Sequence, residues 1–304
     1  MTIAIIGAGA VGAATAYALT IKNLAAEIIL IDVNEEKERG EVMDIGDTLS
    51  LVETGRIRAG KFPDARRADI IVLTAGAAQK PGEARFDLVH KNVEITGSIF
   101  RNIGRLRPGA IVLAVANPVD IITAVAQKLS GLPASQVFGS GTTLDTARLK
   151  YAVGQHFGVS PQNVHGYVLG EHGDSEFVGW STVAIGGTPI KKQAGMSPQI
   201  ARDIEARVKR EAYEIIARKG ATYFGIALVV TNIIEAVVYD QHLILPVSSR
   251  LNDWNGVADV CLGAPAIVGR RGVEGLWPVS LTAAERTKLK KSAQILRGYL
   301  DAIE

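Results

Sequence analysis

Near the amino terminus an apolar run, Ile3–Ile6, passes directly into Gly7-Ala8-Gly9-Ala10-Val11-Gly12 and then into a helix-length pattern ending at Ile21. No other feature restricts the fold as much. A bare Gly-x-Gly-x-x-Gly is weak, because glycines punctuate many turns, but a strand before it and a helix after it narrow the reading. Gly7 permits a tight turn, Gly9 lets backbone N–H groups approach a pyrophosphate, and Gly12 allows the helix to pack close to the strand. The next apolar run, Glu27–Asp32, ends in an acid 20 residues beyond Gly12. A carboxylate there would accept the hydroxyls of an adenosine ribose and repel a 2′-phosphate. NAD, rather than NADP, is the expected cofactor, with Gly7, Gly9, Val11, Gly12 and Asp32 around it.

The pattern continues. Asp69–Ala75, Ala110–Asn117 and Gln136–Gly139 read as buried strands and Arg56–Ala59 as a weaker one, with helical segments at Asp87–Leu106 and Asp120–Leu129. Apolar strands alternating with helices imply a parallel sheet covered on both faces. The expected class is α/β, with a doubly wound parallel sheet (a Rossmann domain) over residues 1–141 and an α+β catalytic domain over 142–304. In that second half, Gly166–Leu169 and Phe177–Ile185 read as strands and Ser197–Lys219 and Tyr223–Tyr239 as helices. Leu243–Ser249 and Val257–Val268 read as paired strands around Asn255-Gly256, and a final helix begins with the capping box Thr282/Glu285. With no internal repeat and no Pro/Ser-rich linker, the halves are expected to pack tightly.

Composition removes several classes of function. The 33 basic and 31 acidic residues nearly cancel, which leaves no electrostatic footprint for nucleic acid. The single cysteine, Cys261, forbids an internal disulfide and a cysteine-based metal site, and no metal is expected. No apolar run reaches the length of a membrane span, and the first residues carry neither a charged region nor a cleavage site. A reducing, cytoplasmic location without membrane partners is therefore expected.

Four polar clusters are candidates for chemistry. Thr142-Thr143-Leu144-Asp145-Thr146-Ala147-Arg148 opens a helix after the sixth strand. Thr142 and Asp145 could form a capping box and Arg148 an i,i+3 pair with Asp145, or the carboxylate and guanidinium could serve a site at the sheet's carboxyl edge. His172 sits in the polar turn Gly170-Glu171-His172-Gly173-Asp174, unlike His156, which lies on an amphipathic helix. Gln79-Lys80-Pro81-Gly82-Glu83-Ala84-Arg85 is either a solvated crossover or a lid. Asn117-Pro118 ends the fifth strand, where ligands bind in such folds.

With the glycine motif, these stretches resemble the L-lactate/malate dehydrogenase family from end to end: five motifs in order at sensible intervals. The resemblance implies that His172 exchanges a proton with the substrate hydroxyl, that Asp145 orients and stabilises its imidazolium, and that Arg148 clamps the substrate carboxylate bidentately. It implies that Arg85 polarises the carbonyl, that Asn117 bonds the substrate oxygen beside the cofactor, and that Thr222 and Ile226 line substrate and nicotinamide. Gln79 stands where malate dehydrogenases usually have arginine, which favours pyruvate and L-lactate as substrates. A malate dehydrogenase or broader L-2-hydroxy-acid dehydrogenase is the alternative, and a non-catalytic NAD-binding protein a remoter one. NAD-dependent glycosidases share the architecture but need a metal held partly by cysteine, and Cys261 lies away from the other motifs. The family also implies a homo-oligomer, dimer or tetramer. Its anionic activator, fructose 1,6-bisphosphate, would meet His165 but Lys150 in place of the usual arginine.

Overall fold

Strands and helices alternate through the first half as β1 (Thr2–Ile6), α1 (Ala10–Ile21), β2 (Glu27–Ile31), α2 (Glu35–Asp47), β3 (Ile57–Ala59), β4 (Ile70–Leu73), α3 (Arg85–Ile103), β5 (Ile111–Ala114), α4 (Val119–Ser130) and β6 (Val137–Gly139). The structure, a computed structural model, describes residues 1–53, 55–77 and 85–303. The six strands are parallel, in the spatial order β3-β2-β1-β4-β5-β6. That order reverses between β1 and β4, which opens a crevice at their carboxyl ends.

Alternate side chains of these strands enter two different cores. Ile3, Ile5, Ile28, Leu30, Ile70 and Val72 face one side, and Ala4, Ile6, Ile29, Ile31, Ile71 and Leu73 face the other. Both faces are buried, which is why the strands read as continuous apolar runs. Ile99, Phe100 and Ile103 of α3 cover the second side.

Residues 143 to 303 supply α5 (Thr143–Phe157), β7 (Val164–His165), β8 (Val168–Leu169), β9 (Phe177–Val178), β10 (Ala184–Ile185), β11 (Thr188–Pro189), α6 (Pro198–Lys219), α7 (Phe224–Val238), β12 (Leu243–Arg250), β13 (Cys261–Gly269), β14 (Gly272–Leu276) and α8 (Ala283–Asp301). Val230, Ile233 and Ile234 of α7 pack against Ile3, Ile5 and Leu19. A second-half helix thus closes the first-half core.

The structure corrects three sequence expectations and adds one helix. The sheet does not stop at β6, because β12, β13 and β14 extend it antiparallel to nine strands. Helix α2 was not legible: its sequence, EEKERGEVMDIGD, has no apolar stripe. It is held instead by the Asn34 side chain, which accepts from Lys37 N, and by Glu35, Glu36 and Glu38 at the positive end of its dipole. Phe177–Ile185 is not one strand. A turn over Trp180–Thr182 divides it, and the Thr182 hydroxyl both donates to Gly179 O and accepts from Tyr167 N. The last pairing starts at Cys261, not Val257, because left-handed backbone at Asp253, Asn255 and Asp259 breaks the ladder on either side of the tight Trp254–Val257 turn.

Candidate active site

The carboxyl ends of β5 and β6 deliver the first components. Past β5 the chain reaches Asn117, joined to Pro118 by a cis peptide, and then α4. Past β6, α5 places Asp145 and Arg148 one turn apart on the same buried face. Thr142 does not cap its own helix. Its hydroxyl donates to Val168 O at 2.6 Å, which fastens α5 to β8.

The turn that carries His172 follows β8 and is fixed at both ends. Gly170 exchanges backbone hydrogen bonds with Gly263 of β13, and Glu171 N donates to Ser292 Oγ of α8. Gly170 has a φ of 96°, and a Cβ there would lie 2.8 Å from Ser292 Oγ, so the position requires glycine. His172 N donates to Asp120 Oδ2 at 2.8 Å, and Asp120 Oδ1 accepts from Ser248 Oγ at 2.6 Å.

Within this frame His172 Nδ1 lies 2.7 Å from Asp145 Oδ2, and Arg148 Nη1 lies 2.8 Å from Asp145 Oδ1. The two readings of the α5 cluster are compatible: the i,i+3 ion pair forms, and the same carboxylate holds the imidazole. Because Nδ1 faces Asp145, Nε2 is the nitrogen left to act on a ligand. Asn117, Asp145, Arg148 and His172 all line one cleft of about 580 Å³. Lys209, Arg210 and Tyr213 of α6 form its far wall.

The electrostatics favour a charged imidazole. Burial alone would depress the His172 pKa, but the Asp145 charge and hydrogen bond outweigh it and raise the value to about 9. Burial works against the Asp145 charge as well, yet His172 and Arg148 hold its carboxyl below the usual range. Asp120 moves the other way, to about 6, because burial exceeds the help from Ser248 and the His172 amide. At neutral pH the centre is an imidazolium–carboxylate pair able to donate a proton from Nε2.

The nucleotide crevice also fits its expected ligand. Gly7 has a φ of 112°, and a Cβ on Gly12 would fall 1.9 Å from Gly7 O, so helix and turn touch there. Nothing lies within 4 Å of a Cβ built on Gly9. Helix α1 has no side-chain cap and no acid in its first turn, and half-buried Val11 lies in that turn. Free N–H groups facing open space suit a pyrophosphate. Asp32 accepts from Ala8 N at 2.6 Å and from Asn34 N at 2.9 Å, which aims its carboxylate across the glycine turn.

Other expected residues are placed less directly. Ile226 packs at the edge of the first core and Thr222 is half-buried before α7, but neither lines the cleft. Arg85 is the first residue of α3, and Gln79 lies outside the described residues. Lys150 is half-buried on α5, where burial lowers its pKa, and His165 is exposed on β7.

Sequence reasoning missed several supporting groups. Asp120 is a lone acid at the start of the apolar helix α4, and that contrast could have marked it. Asn92, only 1% exposed, donates to Asn117 O and Ala77 O and accepts from Ala77 N, tying the cleft-edge loops together. Glu38 accepts from the amides of Asp32 and Gly60. Ser248 and Glu176 carried no signal, since their importance arises from neighbours distant in sequence.

Comparison with known proteins agrees with this geometry. Residues 1–139 match the lactate/malate dehydrogenase NAD-binding domain, and residues 142–304 match the α/β C-terminal domain of that family. The chain is 49% identical over 300 residues to an L-lactate dehydrogenase of Synechococcus sp. (strain JA-3-3Ab), covering 98% of each chain. It is 44% identical over 304 residues to one from Clostridium botulinum (strain 657), covering 98% of this chain and 96% of the relative. The crystal structure of the minor L-lactate dehydrogenase from Enterococcus mundtii superposes with a TM-score of 0.96 at 39% identity, over 100% of this chain and 98% of the other. A lactate dehydrogenase from a Medee basin deep-sea metagenome gives 0.95 at 38% identity, over 99% and 98%.

Proposed function

The chain belongs to the lactate/malate dehydrogenase family, and from that premise we propose that it is an NAD-dependent L-lactate dehydrogenase interconverting pyruvate and L-lactate. The observation that carries this reading is the line Arg148–Asp145–His172 at the cleft, with contacts of 2.8 and 2.7 Å. A 2-oxo acid needs one cation for its carboxylate and one proton for its carbonyl oxygen, and the line offers both.

Residues 1–141 hold NAD and residues 142–304 provide most of the substrate site. Bound NADH supplies the hydride that reduces the carbonyl carbon. As charge develops on the carbonyl oxygen, the His172 imidazolium gives it the Nε2 proton. Asp145 keeps Nδ1 protonated throughout, so the neutral imidazole left behind is in the correct tautomer to accept a proton in the reverse direction. Arg148 orients the substrate through its carboxylate, a planar recognition that lysine cannot copy. Asn117 hydrogen-bonds the substrate oxygen. Arg85 stabilises the same oxygen, Gln79 faces the substrate methyl group, and Thr222 and Ile226 border substrate and nicotinamide; these roles rest on the family resemblance.

Among the described residues no helix is long and apolar enough to cross a membrane. The proposal includes a cytoplasmic homo-oligomer without nucleic-acid partners. Exposed Tyr17 and Ile21 on α1, Met43 on α2, and Phe224 and Leu228 on α7 support self-association. Lys150 and His165 are proposed as an anion site, with lysine serving as a point charge.

The test is steady-state NADH oxidation with pyruvate, oxaloacetate and longer 2-oxo acids, each with and without fructose 1,6-bisphosphate. Pyruvate should give the highest kcat/KM. A preference for oxaloacetate would overturn the substrate assignment.

A further inference from the structure

Glu176 stands behind the imidazole and has no part in the steps above. Its side chain is 4% exposed, with Oε2 3.9 Å from His172 Nδ1. Donor atoms of Glu176, Asp145 and His172 all lie within 4.8 Å of one another. The Glu176 and Asp145 side chains, 4% and 2% exposed, thus bring two buried carboxyl groups within 4.8 Å of each other.

An ionised carboxylate only accepts hydrogen bonds. Two buried carboxyl groups this close repel each other when both are ionised and are stabilised by holding one proton between them, as in other close acid pairs. The surroundings decide which one carries it. On α5, Asp145 lies against both the His172 ring and the Arg148 guanidinium. Glu176 has the imidazole at longer range and Lys209 of α6, whose Nζ is already 3.8 Å from Glu205. Asp120 of α4 faces the His172 amide, and Glu211 of α6 lies 4.0 Å from Arg148. The negative charge belongs on Asp145 and the proton on Glu176.

We propose that Glu176 is a positioning residue: a neutral carboxylic acid that donates to Asp145 and limits how much of the Asp145 charge reaches His172. This rests on the lactate dehydrogenase reading and deepens it. Burial and the Asp145 charge both raise the Glu176 pKa, against the opposing pull of His172 and Lys209, in agreement with that placement of the proton. An imidazolium paired with an unshared carboxylate holds its proton more tightly and is a poorer donor to pyruvate. Sharing Asp145 with Glu176 weakens that hold.

The experiment compares the pH dependence of kcat for pyruvate reduction, at saturating NADH and pyruvate, in the unmutated enzyme, Glu176→Gln and Glu176→Leu. Glutamine keeps a neutral donor, so the alkaline limb should stay in place. Leucine removes the donor, so the limb should move up by about one unit or more, with a lower plateau and unchanged NADH affinity. Downward movement in either variant would mean that a negative charge had been lost and would overturn the proposal. So would an unmoved limb in both, which would leave Glu176 a packing residue.

If neither variant folds, infrared spectroscopy of the unmutated protein decides. With 13C-labelled glutamate near neutral pH, a glutamic-acid C=O band is expected, and its absence overturns the proposal. That band does not depend on turnover. A protein showing it without reducing pyruvate would refute the assigned reaction and leave the shared proton standing.

Discussion

A histidine in a dehydrogenase must be an acid in one direction and a base in the other, and His172 reads its state from charges only a few ångströms away. With its pKa raised to about 9, pyruvate reduction should decline as pH rises through that value. Lactate oxidation, which needs the neutral ring, should rise over the same interval when chemistry limits both rates. Two directions sharing one profile would remove His172 from the proton transfer. Asp145→Asn removes the largest support for the charged ring, so the reduction limb should fall by about 1–3 pH units, measurable in the same assay. In folding, a group whose native pKa is raised stabilises most below its unfolded value, near 6.5. That contribution is lost as pH rises through about 9. Gln79 is testable although it lies outside the described residues. Gln79→Arg would give oxaloacetate's second carboxylate a partner and leave an unpaired guanidinium against pyruvate. The ratio of kcat/KM values should shift by two to three powers of ten, about 3–4 kcal/mol, and an unchanged ratio would refute its place in the pocket. At this scale the sequence was most informative through the family resemblance, which singled out His172, Asp145 and Arg148, three residues that the structure brings together at one cleft. It was silent at Glu176 and Ser248, whose roles depend on the fold bringing distant groups together.

Elements with an apolar period or a fixed turn were legible, and elements held by local polar contacts were not. Helix α1 announced itself through the glycine turn, and α8 through its Thr282/Glu285 box, which forms as read. Helix α2, with its charged surface, was missed, although its buried Glu38 holds the amides of Asp32 and Gly60. The α1–β1 junction gives the element-scale prediction. A methyl group at Gly12 would meet Gly7 O at 1.9 Å, backbone against backbone, with no flexible side chain to yield. Gly12→Ala must therefore push the start of α1 off the strand and displace the N–H groups facing the pyrophosphate. Overpacking of this kind costs about 1–3 kcal/mol. NADH affinity by fluorescence titration should fall at least tenfold, while Gly9→Ala, which meets open space, should fold normally. Equal folding stability of the two variants would contradict the close approach.

Two families of domain meet in this chain at about residue 140, yet the packing does not respect that division. The sheet runs on from β6 to β12, Asp120 in the first half holds His172 and Ser248 in the second, and α7 buries its apolar face against β1 and α1. Independent domains meet through smaller, more polar interfaces, whereas removing α7 would strip Ile3 and Ile5 of their cover. The sequence suggested tight packing through the missing linker, but it could not show a shared sheet, because strand partners are chosen by tertiary contact. One cooperative unit follows physically. Calorimetry should show a single transition, with an enthalpy of about 200 kcal/mol per chain near 60 °C. Ile233→Ala tests the coupling directly, since Ile233 is fully buried on α7 against the first-half core. The cavity should cost about 2–5 kcal/mol and lower the whole transition. Loss of NADH-binding fluorescence and loss of helical circular dichroism should remain coincident. Two resolved transitions, or a variant whose nucleotide-binding half melts at the unmutated temperature, would show that the halves fold separately.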